Sequence, residues 1–221
     1  MDMNNISRRK FLGIIGAGTS AVAGTSLLSG CKGKDKEDAL DDYKKQIEPP
    51  VGKMTYRESN QTHDKISLLG YGMMRLPTKE AGSARTQDNP NNDEIDQEEV
   101  NRLVDYAMEH GINYYDTSPA YCRGLSERST GIALSRYPRD KYFVATKLSN
   151  FAPETWSGEA SKQMFYNSLK ELQVDYIDYY LLHAIGGDMS QYKARYVDNG
   201  MMDFLLEMRK EGKIRNLGFS F

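Results

Sequence analysis

Apolar and polar positions alternate with two different periods from residue 54 onward. Short apolar runs predict buried strands at 66–74, 112–116, 142–146, 176–182 and 214–221. Between them, apolar residues at the spacing of an amphipathic helix predict helices at 97–110, 126–135, 158–172 and 201–210. Strands that alternate with helices are typical of right-handed parallel units, so the pattern predicts an α/β fold.

Cap and turn residues mark the limits of some of these elements. Asp96, with Glu99 three residues later, predicts an N-terminal capping box for the first helix. Gly111 predicts where that helix ends. The segment 54–65 is compatible with a short hairpin, and the polar stretch 77–97 predicts a long surface loop.

The number of predicted strands bears on the fold class. An eight-stranded (α/β)8 TIM barrel typically needs about 250 residues, whereas 54–221 carries only five predicted strands. Five strands cannot close such a barrel, so we expect a TIM barrel truncated after about five strands, in a sequence that is cut short. An open, doubly wound sheet is the alternative, because it accommodates five strands.

Composition excludes some classes of protein. Of the 221 residues, 39% are apolar and 27% are charged, which is enough to bury a core. The formal net charge of −2 gives no indication of nucleic-acid binding. The two cysteines, Cys31 and Cys122, do not support a disulfide framework, and their spacing predicts no metal site.

The first thirty-one residues resemble an export signal. Arg8 and Arg9 precede an uncharged run at 11–28 that is rich in small and polar residues, which favours a cleaved signal over a spanning anchor. The opening resembles a twin-arginine (Tat) signal. The run ends at Leu-Ser-Gly-Cys, which resembles a bacterial lipobox, so Cys31 would be lipidated and would hold the protein at the membrane. An uncleaved anchor with an incidental cysteine is the alternative.

Three segments follow from this pattern. Residues 1–31 form the Tat-like signal with its lipobox, and the highly charged stretch 32–53 is interpreted as a solvated tether. The folded domain is expected at 54–221, in a protein exported to the periplasm or cell envelope and anchored there by lipid.

Four polar residues end or follow predicted strands: Asp116, Tyr121, Lys147 and His183. In a barrel the carboxyl ends of all strands meet on one face, so residues far apart in sequence converge there. An acid, a phenol, an amine and an imidazole at such a face predict a proton-transfer site. Each residue alone also has a structural interpretation, since a polar residue at a strand end often only caps a turn or faces solvent.

Five sequence stretches, in order, resemble successive signatures of the aldo-keto reductase superfamily. They lie at 70–77, 115–121, 145–147, 175–183 and 212–220. The resemblance implies an (α/β)8 barrel, NADP(H) as cofactor, and reduction of a carbonyl compound to an alcohol or the reverse. It also implies that the superfamily's catalytic tetrad corresponds to the four strand-end residues named above.

The chemistry of hydride transfer explains why these four types would be grouped. Negative charge develops on the carbonyl oxygen and must be met by a proton donor and a hydrogen-bond donor. Tyr121 would be the general acid, assisted by the ammonium of Lys147, because a free phenol is a weak acid at neutral pH. Asp116 would hold Lys147 in place, and His183 would orient the carbonyl or, in the oxidative direction, help to shuttle the proton.

Other residues carry weaker predictions. By the same resemblance, Ser220 would contact the nicotinamide amide, although Phe221 stands where the superfamily usually has Asn. Met74, after the first strand, would border the cofactor, and packing is its alternative role. Cys122 is interpreted as a bystander, because no base is paired with it in the sequence.

Three functional hypotheses remain open at this stage. The first is a membrane-tethered carbonyl reductase acting on a small-molecule aldehyde or ketone. The second is a protein that keeps the barrel and the nucleotide but serves as a sensor or interaction partner. In the third, residues 73–77 and 218–221 resemble those of a branch of the superfamily whose members often carry a ferredoxin-like iron–sulfur domain after the barrel. A 4Fe-4S cluster outside residues 1–221 would then serve an electron-transfer partner.

Overall fold

The structure is a computed structural model that describes residues 49–79 and 94–221. The predicted signal at 1–31, most of the predicted tether and most of the predicted loop at 77–97 lie outside the described residues. Within the described ranges, no helix is both long and apolar enough to cross a bilayer.

A short antiparallel hairpin precedes the main sheet. Strand β1 (Tyr56–Glu58) pairs with β2 (Lys65–Ser67), with Tyr56 opposite Ser67. The hairpin predicted at 54–65 is therefore confirmed. The single strand predicted at 66–74 is wrong, because the chain bends at Leu68 and Leu69, which are 66% and 60% exposed. Ser67 stabilises this bend by donating its hydroxyl hydrogen to the carbonyl oxygen of Leu69 at 2.7 Å.

Five parallel strands form the main sheet in the order of the chain. They are β3 (Tyr71–Gly72), β4 (Tyr114–Asp116), β5 (Phe143–Leu148), β6 (Ile177–Leu182) and β7 (Ile214–Phe219). A doubly wound sheet reverses its strand order at a switch point, whereas a barrel keeps chain order throughout. The observed order is therefore that of a barrel, and the predicted TIM barrel with five strands is confirmed.

Helices connect the strands after β3. They are α1 (Gln97–Glu109), α2 (Ser126–Leu134), α3 (Gly158–Leu172), α4 (Met189–Tyr192) and α5 (Met201–Lys210). A π-helix (Lys193–Val197) continues α4, and single turns of 3₁₀-helix lie at Tyr121–Gly124, Arg139–Lys141 and Pro153–Thr155. The four longer helices were predicted from apolar spacing. The shorter elements were not, because one turn contains too few residues to show a helical period.

The cap of α1 forms only half of the predicted capping box. The Asp96 carboxylate accepts a hydrogen bond from the Glu99 amide at 3.0 Å, as predicted. The Glu99 carboxylate, however, pairs with Arg102 on the next turn, while the Asp96 amide donates to the Pro77 carbonyl. The reciprocal bond is thus replaced by two other contacts. Gly111 ends the helix with a φ of +88°, a left-handed conformation that favours glycine.

The core lies between the sheet and its covering helices. Phe165 of α3 and Tyr180 of β6 are fully buried and meet edge to face, with ring centroids 5.2 Å apart. Burying one such aromatic side chain stabilises the fold by about 2–3 kcal/mol. The helices α2 and α3 pack so closely that a Cβ at Gly131 would lie 2.3 Å from the Glu171 carbonyl oxygen. Only glycine therefore fits at this position.

A carboxyl group is buried between α2 and the sheet. Glu127 is 3% exposed and accepts a hydrogen bond from the Thr146 hydroxyl of β5 at 2.5 Å. Burial raises the pKa of Glu127 to about 7, and hydrogen bonds from Thr146 and Ser168 oppose that rise only in part. The folded pKa lies above the unfolded value, so this group's contribution to stability is complete below about pH 4.5 and is lost as the pH rises through 7.

We expect Glu127→Gln to stabilise the protein at pH 8 and to change little at pH 4.5. Gln keeps an acceptor for Thr146 but cannot ionise, so the variant should gain up to about 3 kcal/mol at the higher pH. Urea unfolding of the intact protein at both pH values measures this difference. Glu154→Gln, at an exposed position, is the control. An equal stability change at both pH values would show that ionisation is not the cause.

Candidate active site

The four predicted catalytic residues lie together at the carboxyl ends of the strands. The Lys147 ammonium is 2.6 Å from the Asp116 carboxylate and 4.7 Å from the centroid of the Tyr121 ring. The rings of Tyr121 and His183 meet edge to face, with their centroids 5.8 Å apart. The predicted convergence is therefore observed, while the catalytic role of each residue stays a prediction.

The strand register explains why these side chains share one face. Asp116 of β4 lies opposite Ala145 of β5, and Lys147 is two residues further along β5. Lys147 in turn lies opposite Leu181 of β6, and His183 is two residues beyond that. Because alternate residues of a strand point to the same side, each step across the sheet keeps the side chain facing the interior of the barrel.

Lys147 carries a buried positive charge that the fold compensates. Its side chain is 5% exposed, whereas that of Asp116 is 32% exposed. The ammonium donates hydrogen bonds to Asp116 and to the Thr117 carbonyl at 2.6 and 2.7 Å. These contacts hold the ammonium against the Tyr121 ring, where a positive charge is also attracted by the π electrons.

Tyr121 sits at the start of a turn with unusual backbone angles. The two residues after it, Cys122 and Arg123, both have positive φ, at 49° and 54°. Non-glycine residues rarely adopt this conformation, and such strain concentrates at functional sites. Cys122 is buried, and its thiol donates to the Met74 carbonyl at 3.3 Å. Burial raises the pKa of that thiol, so the group supports the loop rather than acting as a nucleophile.

His183 is a neutral imidazole held on several sides. Its Nδ1 is 2.6 Å from the Ser149 hydroxyl, and its ring packs on Phe151 with centroids 4.8 Å apart. The guanidinium of Arg195 donates to the His183 carbonyl at 2.8 Å. Burial, and then the charges of Lys147 and Arg195, lower the pKa of His183 to about 4. At neutral pH the ring therefore carries a single N–H.

Sequence reasoning missed several residues of this site. Ser118 and Ser149 contact His183, at 3.4 and 2.6 Å from Nδ1. They lie two positions after Asp116 and Lys147, so the two-residue period of a strand could have indicated them. Arg195 carries no comparable signal, because it comes from the π-helix and its guanidinium reaches back to the end of β6.

The two predicted cofactor-binding residues lie at the carboxyl ends of the edge strands. Met74 follows β3 and is 42% exposed. Ser220 follows β7, where its hydroxyl oxygen accepts a hydrogen bond from the Ala184 amide at 2.9 Å. Their contact with a cofactor stays a prediction. Across 49–79 and 94–221, no cluster of three or more His, Cys, Asp or Glu side chains could hold a metal ion.

Comparisons with known proteins show similarity to one family of enzymes. The family model described as the aldo/keto reductase family matches residues 68–221. L-galactose dehydrogenase of Arabidopsis thaliana is 30% identical over 172 residues, which are 76% of this chain and 49% of that protein. Methylglyoxal reductase DkgA of Escherichia coli O157:H7 is 33% identical over 125 residues, 55% of this chain and 40% of that protein.

Solved structures show the same architecture. The holo form of an aldo-keto reductase from Bacillus halodurans superposes with a TM-score of 0.57 at 30% identity, covering 76% of this chain and 50% of that one. An aldo-keto reductase from Klebsiella pneumoniae, solved in complex with NADPH, has a TM-score of 0.55 at 23% identity over 76% and 50% of the two chains, and this likeness concerns the fold alone. The chain spans about half or less of the length of the curated relatives described here.

Proposed function

This chain belongs to the aldo/keto reductase family, and from that membership we propose that the intact protein is an NADP(H)-dependent oxidoreductase. It reduces an aldehyde or ketone to an alcohol, or catalyses the reverse reaction. The observation that carries this proposal is the buried Lys147 ammonium, which Asp116 holds against the ring of Tyr121, opposite His183.

The proposed mechanism assigns one task to each side chain. A nicotinamide cofactor, when bound, supplies the hydride that reaches the carbonyl carbon. Tyr121 donates its phenolic proton to the carbonyl oxygen as negative charge develops there. Lys147 stabilises the phenolate that remains, since an opposite charge nearby favours the ionised form. Asp116 keeps the ammonium in position, and the neutral ring of His183 donates a hydrogen bond to the same oxygen.

The two predicted cofactor-binding residues have side chains whose chemistry suits a nicotinamide cofactor. The Ser220 hydroxyl oxygen accepts a hydrogen bond from the Ala184 amide. Among the described residues its hydrogen has no acceptor, so it can bond the carbonyl of the nicotinamide amide. Met74 follows β3, at the other edge of the sheet, where its exposed apolar side chain suits contact with an apolar part of the cofactor.

Cofactor-dependent turnover by the intact protein tests this proposal. We expect NADPH to be oxidised only when an aldehyde or ketone is added, with one equivalent of alcohol formed for each NADPH consumed. If the protein binds NADPH but turns over no carbonyl compound in a broad panel, including quinones, the enzymatic assignment fails. The protein would then be a nucleotide-binding sensor or interaction protein. The prediction of an iron–sulfur cluster concerns sequence outside residues 1–221 and stays a prediction.

We also propose that the protein is exported by the Tat route and anchored by a lipid on Cys31. Support comes from Arg8 and Arg9 before the uncharged run, and from the small residues that precede Cys31. Cys31→Ser should abolish incorporation of labelled fatty acid and release the protein from the membrane fraction. Arg8→Lys with Arg9→Lys should leave the precursor inside the cell. Unchanged fatty-acid labelling in the Cys31 variant would contradict the anchor.

A further inference from the structure

Two buried serines form a chain of hydrogen bonds that ends on His183. The Ser118 and Ser149 hydroxyl oxygens are 2.7 Å apart, and Ser149 is 2.6 Å from Nδ1 of His183. Ser118 is fully buried and Ser149 is 8% exposed. The other end of this hydrogen-bonded chain is at the backbone, where the Ala120 amide donates to the Ser118 hydroxyl at 3.1 Å.

The number of available acceptors sets the direction of this chain. A serine hydroxyl has one hydrogen to donate and two lone pairs to accept. If Ser118 donates to Ser149, and Ser149 donates to Nδ1, both hydrogens occupy short contacts of 2.7 and 2.6 Å. The Ser118 oxygen still accepts from Ala120, so both serine hydroxyl groups and Nδ1 are paired.

The opposite direction of donation leaves one serine hydroxyl hydrogen without an acceptor at hydrogen-bond distance. If Nδ1 carried the hydrogen, it would donate to Ser149, and one of the two serines would need another acceptor. Among the described residues, the remaining acceptor is the Lys147 carbonyl oxygen, which is 3.5 Å from the Ser149 hydroxyl. That distance exceeds the range of about 2.5–3.0 Å for O–H···O bonds. A buried hydroxyl without a partner costs about 1–3 kcal/mol, so the first direction is favoured.

From this accounting we infer that Ser118 and Ser149 are positioning residues, which hold the neutral ring of His183 as the tautomer with hydrogen on Nε2. This inference rests on the proposed function, because it is the Nε2 hydrogen that would bond the substrate carbonyl. In the described residues Nδ1 is the only ring nitrogen of His183 with a hydrogen bond. Nε2 therefore remains available for a ligand.

The neighbouring charges keep the ring in the state that the serines require. Lys147 faces His183 from β5 and Arg195 faces it from the π-helix, and both charges disfavour protonation of the imidazole. Asp116, from β4, is paired with Lys147. Tyr121 meets the ring edge to face and Phe151 packs on it, so the ring cannot turn freely. A doubly protonated ring would lose the bond from Ser149, since Nδ1 would no longer accept.

Ser149→Ala tests the inference directly. Nitrogen NMR of the intact protein labelled with ¹⁵N-histidine distinguishes the two tautomers, and His183→Asn identifies the signals. In the wild type we expect Nδ1 to be the unprotonated nitrogen. In Ser149→Ala we expect a mixture of tautomers and a fall in kcat of about 10- to 100-fold, comparable to the loss on removing a hydrogen bond that orients a metal-ligating histidine. The Kd for NADPH should not change.

Two further variants separate positioning from general damage. Ser149→Thr keeps the hydroxyl and should restore the wild-type tautomer and most of kcat. Ser129→Ala removes a buried serine whose hydroxyl bonds Gln97 and not His183. This variant should change neither the tautomer of His183 nor kcat. A wild-type ring protonated on Nδ1, or a tautomer unchanged in Ser149→Ala, would overturn the inference. The NMR measurement does not depend on catalytic activity. An inactive wild type would therefore refute the proposed function but not the inference about the tautomer.

Discussion

Tyr121→Phe should lower kcat for carbonyl reduction by at least about two powers of ten, the usual contribution of a general acid. Only the hydroxyl group is removed. The ring that Lys147 and His183 contact remains in place, at centroid distances of 4.7 and 5.8 Å. The loss should therefore appear in kcat, while the Kd for NADPH stays close to that of the wild type. Steady-state kinetics and a fluorescence titration of NADPH binding measure the two quantities.

A matched tyrosine provides the control for this experiment. Tyr106 is 41% exposed on α1, where its ring stacks on His110. Tyr106→Phe removes the same atom away from the strand-end face and should leave kcat unchanged. If Tyr121→Phe retained full activity, another group would have to be the proton donor, and the proposed mechanism would be wrong.

The pair formed by Lys147 and Asp116 should respond differently to the loss of each partner. Lys147→Met removes the charge beside Tyr121, and we expect kcat to fall by about two to three powers of ten, as for loss of one preorganised electrostatic contact. The fold should tolerate this change, since the Asp116 side chain left behind is 32% exposed. Water can then solvate the unpaired carboxylate.

Asp116→Asn should instead affect stability strongly. It leaves the Lys147 ammonium, 5% exposed, with only neutral acceptors such as the Thr117 carbonyl. Removing one partner of a buried ion pair costs about 3–5 kcal/mol, because the remaining charge is uncompensated. The partial exposure of Asp116 reduces this cost. We therefore expect Asp116→Asn to lower the free energy of unfolding, measured with urea, by about 2–3 kcal/mol.

A solvent-exposed pair serves as the reference for these two variants. Glu99→Gln breaks the pair with Arg102, whose side chain is 65% exposed, and it should change stability little. An equal loss of stability in Lys147→Met and Asp116→Asn would show that burial does not distinguish the two partners. Unchanged kcat in Lys147→Met would remove Lys147 from the mechanism.

The longer elements could be predicted because they repeat a pattern over several turns. The helices at 158–172 and 201–210 were predicted at the limits that the structure shows. For α3 the start also has a local cause, since the Ser157 hydroxyl accepts from the Ala160 amide at 3.2 Å. The break between β2 and β3 was missed, because exposed Leu68 and Leu69 continue the apolar run without being buried.

The candidate site was predicted from position along the strands rather than from spacing between residues. In the structure Asp116 is the last residue of β4, Lys147 is the next to last of β5, and His183 directly follows β6. Parallel strands present their carboxyl ends on one side. The supporting serines lie two residues beyond Asp116 and Lys147, but serine is common at strand ends, and this spacing alone does not show that Ser149 is a partner of His183. Only its distance of 2.6 Å from His183 does so.

The amino-acid pattern was enough to establish the alternation of strands and helices, the chemical types at the strand ends and the resemblance to a family of reductases. These depend on periodicity and residue identity, which are local. Three further features required the packed fold: the register that places Lys147 opposite Leu181, the approach of Arg195 from the π-helix, and the lowered pKa of His183. A pKa depends on burial and on charges nearby in space, so the groups that control His183 are identified only when distant parts of the chain have packed together.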